Sequence, residues 1–156
     1  AKHIYIVGFR SSSFLAGYLN FYFRLIYDNV TQVQGGAAGT FDQLFRVGPG
    51  DVVIAICFPR YSELALKTVQ YAKDRGATII GVTDSEMSPV YQMSSGSLLV
   101  RNEMISFVDS LAAPMSMLNA LILAAAHKQG TDISATFNEL EHVWDRFGIF
   151  GKVEDE

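Results

Sequence analysis

Three short runs, HIYIVG (residues 3–8), DVVIAICF (51–58) and ATIIGVTD (77–84), are rich in β-branched residues, almost continuously apolar, and bounded by Gly, Asp or Pro. Each has the length of a strand. A strand that is apolar on both faces needs cover on both, which is the situation of a parallel sheet between helices. Helical patterns lie between the runs: residues 13–27, and residues 62–75 with Leu64, Ala65, Val69 and Ala72 at helical spacing before a stop at Gly76. Two weaker strands, 30–34 and 97–100, complete the alternation. This pattern predicts an α/β fold of three layers, a five-stranded parallel sheet with helices on both faces. Right-handed crossovers leave few strand orders, and a flavodoxin-like order is expected. After Arg101 the pattern changes to two helices, about 106–128 and about 134–147, followed by a polar tail, GKVEDE, at 151–156.

With 156 residues, 49% of them hydrophobic and 18% charged, the chain has enough apolar material for one domain with one large core, expected over 1–150. The net charge of -4 argues against a nucleic-acid surface on these residues, because phosphate backbones are held mainly by clustered Lys and Arg. An anion bound here should be small and locally held. Cys57 is the one cysteine, so no internal disulfide can form, and no basic stretch followed by an apolar one opens the chain. A cytoplasmic location is the expectation. The most apolar run, LAAPMSMLNALILAAA at 111–126, is shorter than the ~20 residues of a bilayer span and is interrupted by Pro114, Ser116 and Asn119. It reads as a buried or subunit-facing helix, with no membrane partner. The chain starts almost directly on a core strand, so nothing resembling a helix-turn-helix is expected ahead of that strand within these residues.

In open α/β sheets ligands bind beyond the carboxyl ends of the strands, where helix N-termini present unpaired N–H groups and a positive dipole end. The first such loop is GFRSSS, in which Gly8 permits a tight turn, Ser11, Ser12 and Ser13 can donate hydroxyls, and Arg10 adds a planar cation. A single helix-capping serine would need no ligand, but three beside an arginine point to an anion site. The loop after the third strand, CFPRYSE, repeats this chemistry with Arg60 and Ser62 at a helix start. GGAAGTFDQ at 35–43 has glycines that could cradle a phosphate, but Thr40 and Gln43 have capping-box spacing, which is the favoured reading. In TDSEMSP, Ser88 before Pro89 marks a helix start, and Asp84 and Ser85 are candidates to bond a hydroxylated ligand or the loop itself.

Other chemistries fit less well. His3, His127 and His142 show no metal-ligand spacing, so no metal is expected. As a thiol, Cys57 is more simply a buried small hydrophobe than a reactive group. Aromatics at 14, 18, 21, 22, 23 and 27 wrap too much of their helix for a narrow stripe and suggest core plus a subunit interface. A dinucleotide site would place glycines where Arg10 and Ser13 stand and an acid where Gln34 ends the second strand. A receiver-type phosphoacceptor aspartate would replace Cys57 or Phe58.

IYIVGFRSSSFLAGYL together with PGDVVIAICFPRYSELALKTVQYAKDRGATIIGVTDSEMSPV resembles the SIS, or sugar isomerase, domain in the form carried by RpiR-type transcriptional regulators. The resemblance covers nearly the whole chain, and FPRYS with TDSEMSP is its more specific part. SIS domains have G-x-G-x-S in the first loop and S-x-S-G-x-T after the third strand, and their hydroxyls bind the phosphate of a phosphosugar. By position these serines and the threonine fall on Ser12, Cys57 and Ser62, while Arg10 replaces a glycine and Pro59 and Arg60 replace Ser-Gly. The resemblance implies a sugar-phosphate-sensing effector domain without its N-terminal helix-turn-helix. Its ligand would be a small anionic sugar, a phosphosugar or a sugar acid. It would form a homo-oligomer, most simply a dimer, meet DNA only through a domain absent from this chain, and need no cofactor. The residues expected at the ligand are Arg10, Ser11, Ser12, Ser13, Cys57, Arg60, Ser62, Asp84 and Ser85. The alternative is a phosphosugar aldose-ketose isomerase, which needs a general base against the carbon beside the carbonyl. Glu63, Glu103 and His127 are the nearest candidates, and none has a partner in the sequence to orient it, so no enzyme activity is expected.

Overall fold

The computed structural model describes residues 1–105, 107–130 and 133–150. The strands β1 (Ile4–Val7), β2 (Val30–Val33), β3 (Val52–Ile56), β4 (Thr78–Thr83) and β5 (Gly96–Leu99) form one sheet in the order β2-β1-β3-β4-β5. Every pairing in it is parallel. This is the expected flavodoxin-like order. In register, Ile4 lies between Val30 and Val52, and Val7 lies beside Ala55, so β3 ends one residue beyond β1.

Alternate side chains of each strand enter two separate cores. Tyr5, Val7, Val53 and Ala55 pack with Leu44, Ala65, Val69, Ala72 and Val90 on the face of α3 (Glu63–Asp74) and α4 (Pro89–Met93). Ile4, Ile6, Ile54 and Ile56 pack on the other face with Leu15, Leu19 and Phe23 of α1 (Ser12–Ile26), and with Leu118 and Ile122 of a long C-terminal helix. Both faces of the sheet are therefore covered, which is why these strands carry no polar alternation. Each fully buried Leu, Ile or Val contributes roughly 1.5 to 3 kcal/mol.

Two expectations change. Residues 106–128 do not form one helix: β6 (Met104–Ile105) pairs antiparallel with β7 (Val108–Asp109), and α5 (Ala112–Gln129) starts later. Pro114 gives the physical reason. In a helix from 106 it would sit in the interior, where a proline costs ~3 kcal/mol or more, whereas here it falls in the first turn, where its missing N–H has no intrahelical partner to lose. The second change concerns α2 (Ala37–Gln43), whose N-cap is Gly36 rather than Thr40. Thr40 is buried within the helix and leaves its Oγ1 unpartnered, while the Gln43 side-chain amide bonds the Gln34 backbone.

The last helix, α6 (Ile133–Phe147), follows Gly130, whose left-handed backbone closes α5. No described helix is long and apolar enough to cross a membrane. The polar tail expected at 151–156 lies outside the described residues.

Candidate functional site

The strand order runs one way from β1 to β2 and the other way from β3 through β5, so a crevice opens between the carboxyl ends of β1 and β3. Their helices, α1 and α3, lie on opposite faces of the sheet, and both N-termini flank that crevice. The chain can turn this tightly out of β1 because residue 8 is a glycine: a Cβ there would lie 2.5 Å from the Ser12 carbonyl oxygen and 3.0 Å from the Ala16 Cβ.

Arg10 and Arg60 stand at equivalent places in the two loops, with φ of 57° and 58°. Among the described residues they are the non-glycine positions of positive φ, and both correspond to glycines in the SIS loop patterns. Left-handed backbone costs an ordinary residue roughly 1 to 2 kcal/mol, so the two arginines are held there against their own preference. Both are exposed, and neither guanidinium has a hydrogen-bond or ion-pair partner among the described residues.

Arg10, Ser11, Ser12, Cys57, Arg60 and Ser62 all line one cleft of about 360 Å³, closed on other sides by Phe9, Phe14, Phe58, Pro59, Phe107 and Asp109. Ser12 is buried in its wall. Ser62 caps α3, its Oγ accepting from the Ala65 N–H at 3.4 Å. That bond uses the oxygen as acceptor and leaves the hydroxyl proton free to donate. Ser11 donates its hydroxyl to Asp109 Oδ2 at 2.8 Å. Cys57 is 3% exposed, and burial pushes its thiol above the ordinary value, so it meets the cleft as a neutral group.

Three expected ligand residues lie elsewhere. Ser13 donates to the Arg10 carbonyl oxygen at 2.6 Å and faces a neighbouring cleft with Gln32, Gln34 and Gly35. Asp84 accepts from the Tyr61 hydroxyl at 2.8 Å and from Thr83 Oγ1 at 3.2 Å, so it braces the β3–α3 loop next to Arg60. Burial, and then Asp84, push the Tyr61 phenol upward, and the hydroxyls of Ser88 and Ser85 partly offset that rise. Neither Asp84 nor Ser85 lines the cleft of the arginines.

Sequence reasoning missed Tyr61 as part of the brace, and it missed Phe107 and Asp109 altogether, because residues 106–128 read as one helix. The placement of Pro114 was the available signal. The base candidates Glu63, Glu103 and His127 are exposed and do not line the cleft, and Glu63 pairs with Lys67 at 3.4 Å. Among the described residues no cluster of His, Cys, Asp and Glu could hold a metal.

The family model described as SIS domain matches residues 1–124, most of the chain and every loop of this cleft. The chain belongs to the SIS domain family. This SIS domain folds like the sugar isomerase domain of an RpiR transcription factor from Sphaerobacter thermophilus, with a TM-score of 0.84 and 21% identity, over 91% of this chain and 79% of that one. It is also similar to the Vibrio vulnificus NanR protein complexed with ManNAc-6P, with a TM-score of 0.78 and 14% identity over 97% of this chain, and it spans 58% of NanR. A third similar structure is a hypothetical protein from Methanococcus jannaschii with an inferred function of 3-hexulose-6-phosphate isomerase, at a TM-score of 0.71 and 15% identity, over 88% of this chain and 76% of that one. A sequence search of curated proteins finds no match.

Proposed function

We propose that this SIS domain is the sugar-phosphate-sensing effector domain of an RpiR-type transcriptional regulator. It binds a small anionic sugar in the cleft between β1 and β3, works in the cytoplasm as a dimer, and reaches DNA through a separate helix-turn-helix domain. The observation that carries this reading is the pair of guanidinium groups without a partner among the described residues, Arg10 and Arg60, held in left-handed backbone at two helix N-termini around one cleft. Charge-assisted bonds from such groups to a phosphate are roughly twice as strong as neutral ones, and Ser12 and Ser62 add hydroxyl donors. The likeness to the RpiR factor and to NanR in complex with ManNAc-6P supports a sensor. For the isomerase reading, the likeness to the Methanococcus jannaschii protein and the Asp109 carboxylate in the cleft are the favouring observations.

The test is a thermal-shift panel of sugar phosphates and the matching free sugars. A bound phosphosugar at ~100 times its Kd should stabilise the fold by ~2.7 kcal/mol, about 5 to 10 °C in Tm for a domain of this length. The free sugar should give far less. Ser12→Ala should weaken the response and Arg60→Ala should weaken it more. If both variants respond like the parent to a ligand that clearly binds, the cleft is not the phosphate site. Turnover of an aldose or ketose phosphate that disappears in Asp109→Asn would favour the isomerase.

A further inference from the structure

Asp109 is an acid placed among the groups that the proposed function assigns to an anion. Its Oδ2 accepts the Ser11 hydroxyl at 2.8 Å, across 98 residues of chain, in the cleft that Arg10 and Arg60 also line. Neither guanidinium is within ion-pair distance of it. The carboxylate thus engages one hydroxyl donor of the anion site and leaves the two cations free.

The element that delivers Asp109 is slight. β6 and β7 form a two-stranded sheet apart from the main one, joined only through the register Met104 with Asp109 and Ile105 with Val108. An isolated two-stranded ribbon is marginal in water. Phe107 at its turn is 85% exposed and Val108 is exposed, so neither of these two apolar side chains is buried to hold it. The Ser11–Asp109 bond is the described side-chain hydrogen bond that ties this hairpin to the β1–α1 loop.

We propose that Asp109 is a built-in competitor for the anion site, which an incoming anion must displace from Ser11. The inference rests on the anion-binding reading of the cleft. An anion that approaches Ser11 must take over its hydroxyl and face a like charge, which is strongly disfavoured where water is partly excluded. A phosphate dianion has more charge and three acceptor oxygens, so it can engage Ser11 and a guanidinium together and displace the aspartate. Once displaced, Asp109 releases the hairpin, which leads through Ser110 and Leu111 directly into α5. The hairpin is thereby the route by which ligand occupancy reaches α5, which packs with α1 on one face of the sheet.

The experiment measures inorganic phosphate and acetate binding by calorimetry to the parent and to Asp109→Asn, whose amide oxygen can still accept from Ser11 without a charge. Phosphate should bind the variant about tenfold more tightly, and acetate, with one charge at most, should gain by a smaller factor. Hydrogen exchange at residues 107–109 should speed up in the parent when phosphate is added. Ser11→Ala, which breaks the same bond from the other side, should speed that exchange without any anion. Equal or weaker phosphate binding by Asp109→Asn, or a hairpin that phosphate protects, overturns the proposal. If that happens while Arg60→Ala still abolishes phosphate binding, the anion site stands and only the role of Asp109 falls. If phosphate binds neither the parent nor Asp109→Asn, both readings fall.

Discussion

Arg10 and Arg60 occupy a backbone conformation that glycine takes without steric penalty. A solvated arginine gains nothing from that strain, so the two positions are where backbone preference has yielded to a side-chain requirement. This separates two effects that an alanine variant would merge. In Arg60→Gly the left-handed strain of roughly 1 to 2 kcal/mol is relieved, while the flexible glycine loses roughly 0.5 to 1 kcal/mol of stability through the entropy of the unfolded chain. Urea unfolding should therefore place Arg60→Gly within ~1 kcal/mol of the parent, or above it, whereas its Tm response to phosphosugar should be largely lost. Arg60→Ala keeps the strained backbone and also loses the charge, so its ligand response should fall as far with no gain in stability. A glycine variant that responds like the parent would mean that the loop backbone binds the anion and the guanidinium is idle.

At the scale of elements, the start of α3 serves two purposes at once, and they can be pulled apart. Ser62 caps the helix as an acceptor, through a long bond of 3.4 Å, and faces the cleft as a donor. Ser62→Ala should lower stability by roughly 0.5 to 1 kcal/mol, the low end for a lost cap. Ser62→Asp should keep the cap and suit the positive end of the helix, yet bring a carboxylate into the anion cleft. It should melt near the parent and fail to respond to phosphosugar, and a normal response would remove Ser62 from the site. The same elements show what the sequence could reveal. β1, β3 and β4 were legible because an unbroken β-branched run bounded by turn residues suits a strand covered on both faces and few other elements. In the same way α3 was legible because Ser62 and Gly76 mark both of its ends. The arginine loops were legible because strand-to-helix turns fix where a parallel sheet opens. Less could be read where position depends on packing: nothing local to Ser13 or Asp84 says that their side chains turn toward Arg10 or Tyr61 instead of the cleft. Asp109 was hidden because a hairpin with two residues in each strand is too short to show a period.

For the molecule as a whole, the two faces of the sheet differ in how they meet water. On the α3 and α4 side the helices turn their apolar residues into the core, and the exposed large apolar side chains, Phe45 and Met87, lie in the loops. On the other side α1 and α5 bury one stripe each and leave Phe14 72%, Phe21 58% and Leu123 70% exposed, and Phe147 and Phe150 are exposed in and after α6. Between α1, α5 and α6 lies an apolar groove of about 450 Å³, lined by Tyr22, Leu25, Ile26, Ile122, Leu123, Ala126 and Phe137 among others. A monomer seldom leaves this many large apolar side chains bare on one side, and a self-complementary patch on one face is what a two-fold dimer requires. The expectation is a dimer in which a second copy covers this face. Sedimentation velocity at micromolar concentration should show it, and Leu123→Glu combined with Phe21→Glu should give a folded monomer, since both residues are exposed and neither belongs to the sheet core. The unmodified chain sedimenting as a monomer would remove the interface. Because α1 also carries Ser12 and Phe14 of the cleft wall, the monomeric variant provides a second measurement. If the interface helps to set the start of α1, its phosphosugar response should shrink along with the dimer, whereas an unchanged response would show that each copy builds its site alone.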